Sequence, residues 1–142
     1  AGVPLPTELM MTSDQIRELV AQGMSIGGHT RDHPILTSIS DDEAREQIEG
    51  NKRDLEELTN RPVRLFAYPN GKPNKDYAVR HAVIVRECGF DAAVSTAVGS
   101  GGKDTDPMQI PRFAPWEMST RGFTLRLLAH GRRTRELRTA AD

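Results

Sequence analysis

The sequence predicts an α/β fold, a parallel sheet covered by helices, on three observations. Helical and strand-like patterns alternate along most of the chain, the order expected of parallel strands joined by crossover helices. The segments that close the strand-like runs carry polar or aromatic residues, as expected where parallel sheets bind ligands beyond their carboxyl ends. The pattern also opens on a helix and offers too few strands to close a barrel, so a further strand upstream is expected to complete the sheet. At 142 residues and 37% hydrophobic content the chain can bury a real core, which favours one domain over 1–142.

Thr12 and Gln15 form a capping box ahead of Ile16, Leu19 and Val20, whose spacing marks one apolar helix face ending at Gly23. A short apolar piece, Met24 to Ile26, reads as the first strand and breaks at Gly27 and Gly28, just before His29. Ser40 and Glu43 repeat the capping box and open a long polar helix with Ala44, Ile48, Leu55 and Leu58 inward, stopped by Asn60, Arg61 and Pro62. Val63 to Tyr68 reads as a strand. A third helix is expected from near Lys75 to Glu87 with Val79 and Val83 on one face, closed by Gly89, and Phe90 to Thr96 is the next strand. Gly99 to Pro107 reads as a loop, Ile110 to Phe113 as a short strand, and Pro115 and Trp116 as a turn. Phe123, Leu127 and Leu128 mark a last helix, in a tail spanning about 119–138.

Charge and cysteine content exclude several functions. A formal net charge of -1 gives no overall attraction to nucleic acid or an anionic membrane. The arginines at 121, 126, 132, 133, 135 and 138 could form a basic patch, but Glu136 interrupts it and a solvated helix is the simpler account, so no nucleic-acid partner is expected. Cys88 alone permits neither an intramolecular disulfide nor a Cys-x-x-Cys site. The stretch Ala1 to Met11 carries no leader-like pattern and no membrane-length apolar run, which leaves the compartment open.

The chemistry concentrates after the first strand. His29-Thr30-Arg31-Asp32-His33-Pro34 places two imidazoles four residues apart, close enough in a compact loop to share a cation. Spacing alone fits a pair of surface histidines equally well. If metal binds, imidazole suits zinc, cobalt, nickel or iron, and a carboxylate from elsewhere and solvent must complete the sphere. A zinc-protease motif is excluded, because Thr30 stands where that motif has glutamate. Asp32 is expected to brace the loop. Arg112 could orient a catalytic carboxylate or pair with a structural one, and Trp116 could form an apolar wall of a site or fill core.

The string Gly27-Gly28-His29-Thr30-Arg31-Asp32-His33-Pro34-Ile35-Leu36 resembles the His-Thr-x-x-His-Pro motif of the polysaccharide deacetylases, carbohydrate esterase family 4, whose domain is also called the NodB homology domain. Phe66-Ala67-Tyr68-Pro69-Asn70-Gly71 resembles the family's next motif, Glu87 to Val94 the helix end and strand that follow it, and Ile110-Pro111-Arg112 a late Pro-Arg segment. The resemblance runs in family order over about 11–113. It implies an incomplete parallel (β/α) barrel lacking its first strand or strands, and a hydrolase of carbohydrate metabolism that removes N-acetyl groups from an N-acetylglucosamine-type polysaccharide. It also implies a divalent metal, zinc above others, on His29 and His33; an oxyanion donor at the Asn70 backbone N–H; Arg112 as an orienting residue; and a substrate surface at Tyr68, Pro69 and Trp116. A periplasmic or extracellular setting follows from the resemblance alone.

Three departures qualify that picture. The Thr-Phe-Asp-Asp-Gly motif, which in the family supplies the general base and third metal ligand, occurs nowhere, and Asp32, Asp91, Asp104 and Asp106 do not fall at its place. Ala67 stands where the family more often has arginine, and Leu127-Leu128-Ala129-His130 is a poor match to the late Leu-x-His motif. The chain alone is therefore expected to be inactive or weak, and the alternative is a non-catalytic carbohydrate-binding or scaffold protein that keeps the fold. An uncovered sheet edge is expected to favour self-association.

Overall fold

The computed structural model describes residues 10–113, 119–131 and 139–141. Three parallel strands, β1 (Leu65–Ala67), β2 (Ala92–Val98) and β3 (Ile110–Arg112), lie side by side in chain order. Phe66 pairs with Ala93, and Val94 with Ile110; the register slips before Val98 meets Arg112. The helices are α1 (Ser13–Ala21), α2 (Asp41–Thr59), α3 (Val79–Glu87) and α4 (Thr120–Gly131). Among the described residues no helix is long and apolar enough to cross a membrane.

Both capping boxes form. The Thr12 hydroxyl accepts from the Gln15 N–H while the Gln15 side chain accepts from the Thr12 N–H, and Ser40 and Glu43 repeat the exchange at α2. These bonds satisfy helix-end donors that would otherwise face water alone. Asn60, in the left-handed region at φ 49°, ends α2.

The sheet buries one face. Phe66, Ala93 and Ser95 are nearly or fully buried among Ile48, Val63, Val85 and Phe90, the core shared with α2 and α3. With the period-2 alternation of a strand, Leu65 and Val98 fall on the opposite face and are half-exposed. Ala140 folds back on the core, its N–H donating to Gln109 Oε1 at 2.7 Å.

Three expectations need correction. The piece at Met24 to Ile26 is not a strand; the segment pairs with the sheet only through a parallel bridge between Gly28 and Phe66. A Cβ at Gly28 would lie 3.0 Å from the Phe90 ring and 3.1 Å from that of Phe66, so only glycine approaches β1 this closely. The third helix starts at Val79 rather than near Lys75, because Asn74 is left-handed (φ 61°) and the His81 ring captures the Ala78 N–H. Its buried face holds His81, Ala82, Ile84 and Val85, which turns Val83 outward. The last helix forms as α4, with Phe123, Leu127 and Leu128 exposed, and 132–138 of the expected tail lie outside the described residues.

Candidate active site

His29 follows directly on the Gly28 bridge, so the sheet itself delivers the imidazole to the carboxyl end of β1. Its Nδ1 lies 2.7 Å from the Ala67 carbonyl oxygen. A carbonyl can only accept, so Nδ1 carries a proton, and in the neutral imidazole this fixes the tautomer whose lone pair is on Nε2, the one a metal-ligating histidine needs. The His33 ring stands edge-on to it, with centroids 4.8 Å apart and planes at 74°. Both side chains are exposed.

The loop between them is held in a shape that L residues seldom adopt. Thr30 (φ 64°) and His33 (φ 56°) are both left-handed, and a β-branched residue there is costly. The Thr30 hydroxyl, on a buried side chain, offsets that cost by donating to the His29 carbonyl and accepting from the His33 N–H at 3.1 Å. Asp32 braces the loop through Gln47, whose amide donates to its carboxylate at 2.7 Å.

The second element of the site is the turn after β1. Asn70 (φ 54°) and Gly71 (φ 71°) are left-handed, and a Cβ on Gly71 would meet the Tyr68 carbonyl at 3.0 Å. The Asn70 carbonyl accepts from the Thr96 hydroxyl, and the Gly71 carbonyl from the Thr96 N–H, both at 2.8 Å. The Pro69 carbonyl accepts from the Gly71 N–H. Because the Pro69–Asn70 peptide is trans, the Asn70 N–H points away from that carbonyl, and it makes no hydrogen bond within the described residues. Thr96, within the neighbouring strand β2, thus shapes the turn that carries the expected oxyanion donor.

Tyr68 and Pro69, expected at the substrate surface, are buried. Tyr68 stacks on Tyr77 with centroids 3.9 Å apart and donates its hydroxyl to the Met108 carbonyl at 2.8 Å. Burial pushes its phenol above the ordinary range, as befits a core residue. Arg112 donates Nε to the Ser95 carbonyl at 2.8 Å, and among the described residues no carboxylate pairs with it. Trp116 lies outside the described residues. Among the described residues no third His, Cys, Asp or Glu joins the histidine pair, and two imidazoles alone are too few to complete a metal site.

Sequence reasoning missed one side of this site. Gln47, Gly50, Asn51 and Asp54 share one face of α2 and hold the histidine loop, whereas the sequence marks on this helix only the inward Ala44, Ile48, Leu55 and Leu58. The legible signal was Gly50, a helix-interior glycine that needs a packing reason.

Histidines and a turn donor gathered at the carboxyl ends of parallel strands define an α/β-barrel protein with its site at the usual end of the sheet. The polysaccharide deacetylase family matches residues 6–93, more than half of the chain, and the chain belongs to that family. The described residues form a sector of its (β/α) barrel. Over 94 residues the chain is 23% identical to the YxkH protein of Bacillus subtilis (strain 168), covering 66% of this chain and 32% of that protein. The Streptococcus pyogenes deacetylase PplD, solved in complex with acetate, superposes with a TM-score of 0.67 at 25% identity, over 72% of this chain and 44% of that one. BA3943 from Bacillus anthracis, a CE4 family pseudoenzyme, aligns with a TM-score of 0.52 at 26% identity, over 57% of this chain and 27% of that one. The chain thus spans about a third of the curated relative and less than half of each solved one.

Proposed function

We propose that this chain carries the histidine half of a metal-dependent deacetylase site that removes N-acetyl groups from an N-acetylglucosamine-type polysaccharide. The observation that carries the reading is the His29 Nδ1–H···Ala67 bond, which selects the neutral tautomer with its lone pair on Nε2, together with the His33 ring edge-on to it. His29 and His33 would hold the cation, zinc above others, which when bound supplies Lewis-acid polarisation of the amide carbonyl and a more acidic water. The Asn70 N–H is the chain's own donor for the developing oxyanion, and the left-handed turn anchored by Thr96 keeps it from intramolecular pairing. Arg112, tied to the Ser95 carbonyl within β2, is an orienting residue for a carboxylate. Without the Thr-Phe-Asp-Asp-Gly motif the chain alone turns over slowly or not at all, since general base catalysis contributes about 10²- to 10⁴-fold. The test is zinc content of the purified chain together with acetate release from N-acetylglucosamine oligomers. Zinc bound in the parent and absent after His29→Ala supports the reading, and a parent that takes up no zinc contradicts it.

A second reading, a non-catalytic carbohydrate-binding or scaffold protein, is favoured by the absence of a third ligand among the described residues and by the likeness to a CE4 pseudoenzyme. Retention of the oligomer on the chain with no acetate release, under saturating zinc, distinguishes it.

A further inference from the structure

We propose that one face of α2, formed by Gln47, Gly50, Asn51 and Asp54, sets the cation affinity of the His29–His33 loop, with these four as positioning residues. The inference rests on reading the two histidines as metal ligands.

Within the loop the His33 N–H donates to Thr30 Oγ1, and the His29 ring is bonded to Ala67. Three further backbone donors go to α2: the His29 N–H donates to Asn51 Oδ1 at 2.9 Å, and the Arg31 and Asp32 N–H groups both donate to Gln47 Oε1, at 3.1 and 3.0 Å. Residues 47, 50, 51 and 54 are spaced by three and four, so they form one stripe on the helix. Arg31 reaches across that stripe. Its Nε and one Nη donate to the two Asp54 oxygens at 2.6 and 2.8 Å, and its other Nη donates to Glu46 at 2.8 Å. The fork fixes a plane as well as a distance. The Asp54 pairing holds Arg31 firmly protonated and Asp54 below the ordinary carboxylate range.

Gly50 is what admits the guanidinium. A Cβ there would fall 2.4 Å from Arg31 Cζ, inside any tolerable contact, so an alanine must displace the fork. Glycine is otherwise a poor choice inside a helix, and a close approach by another side chain is the reason this one has. The loop residues themselves, Thr30 and His33, are left-handed and would relax if released. The α2 stripe therefore maintains the loop conformation on which the edge-on packing of the two rings depends, as outer-shell partners of ligating histidines do.

The experiment is a titration of the full chain with zinc, in competition with a chromogenic chelator, and with cobalt followed by its visible ligand-field bands. Asn51→Leu is expected to weaken zinc binding about tenfold. Asn51→Asp, which restores an acceptor for the His29 N–H, is expected to recover most of that loss at about 0.5 M salt, where the added charge is screened. Gly50→Ala is the decisive variant, because a purely structural role predicts the opposite sign. Alanine is the better helix former, so its thermal midpoint should equal or exceed the parent's while zinc affinity falls several-fold and the cobalt bands shift. Parent-like affinity in both Asn51→Leu and Gly50→Ala, in a parent that does bind zinc, overturns the positioning role alone. A parent that binds neither metal overturns the metal reading and this inference with it.

Discussion

His29 and His81 each commit Nδ1 to the backbone, and the direction of that bond separates a candidate ligand from a core residue. At His29 the partner is the Ala67 carbonyl, so Nδ1 is the donor and an exposed Nε2 is left with a lone pair. At His81 the partner is the Ala78 N–H at 2.9 Å, so Nδ1 is the acceptor and the proton sits on Nε2. That Nε2 is buried without a hydrogen bond among the described residues, 3.9 Å from Asp41 Oδ1, while Arg80 takes the same oxygen at 2.8 Å. The same side chain therefore presents a lone pair to solvent in one place and caps a helix in the other. Residue type cannot distinguish the two; the polarity of the backbone group within reach does.

The largest effect expected from this contrast is on stability in acid. Burial, with Arg80 beside it, lowers the His81 pKa from 6.5 to about 4, with Asp41 opposing. A base whose folded pKa lies below its unfolded value contributes fully above the unfolded pKa, and the contribution is lost as pH falls toward the folded one. Urea denaturation should therefore lose on the order of 3 kcal/mol between about pH 6.5 and about pH 4 through this group. His81→Gln, which can still accept from the Ala78 N–H, should flatten that limb, and an unchanged acid limb would place its cause elsewhere.

Next in size is the loss of ligation. His29→Ala or His33→Ala should weaken zinc binding by about 100-fold or more, and, because both rings are exposed, should change the unfolding free energy by less than about 0.5 kcal/mol. A comparable loss of stability would make these histidines structural, as His81 is. Thr30→Ala should cost about 1 kcal/mol by removing the acceptor for the His33 N–H, and should weaken zinc binding as the loop relaxes. The smallest effect is at the exposed Arg64–Asp91 pair, far along the chain from either histidine loop: Arg64→Ala should stay within about 0.5 kcal/mol of the parent and leave zinc binding unchanged.

The sequence made legible whatever is encoded locally. Thr12 and Ser40 with their partners three residues on, the stop at Asn60, and the alternation of helix with strand all formed as their side-chain chemistry requires. The His-x-x-x-His pair was visible for the same reason. What escaped depends on tertiary contacts. Tyr68 lies in a family motif, yet whether its ring faces a cleft or the core is decided by Tyr77 and Met108, which lie distant in sequence. The failure of Met24 to Ile26 to form a strand is set by the short pairing that Gly28 permits against Phe66. His81 carries no sequence signal, because its capping role exists only once Ala78 adopts an extended conformation.

The central claim is that His29 and His33 offer lone pairs to one shared cation while His81 does not, and nitrogen-15 NMR of the histidine rings during a zinc titration tests it most directly. The account predicts His29 protonated at Nδ1 in the metal-free chain, with the His29 and His33 ring nitrogens shifting together on zinc addition and those of His81 unmoved. A His29 protonated at Nε2, or shifts confined to one of the two rings, would contradict it.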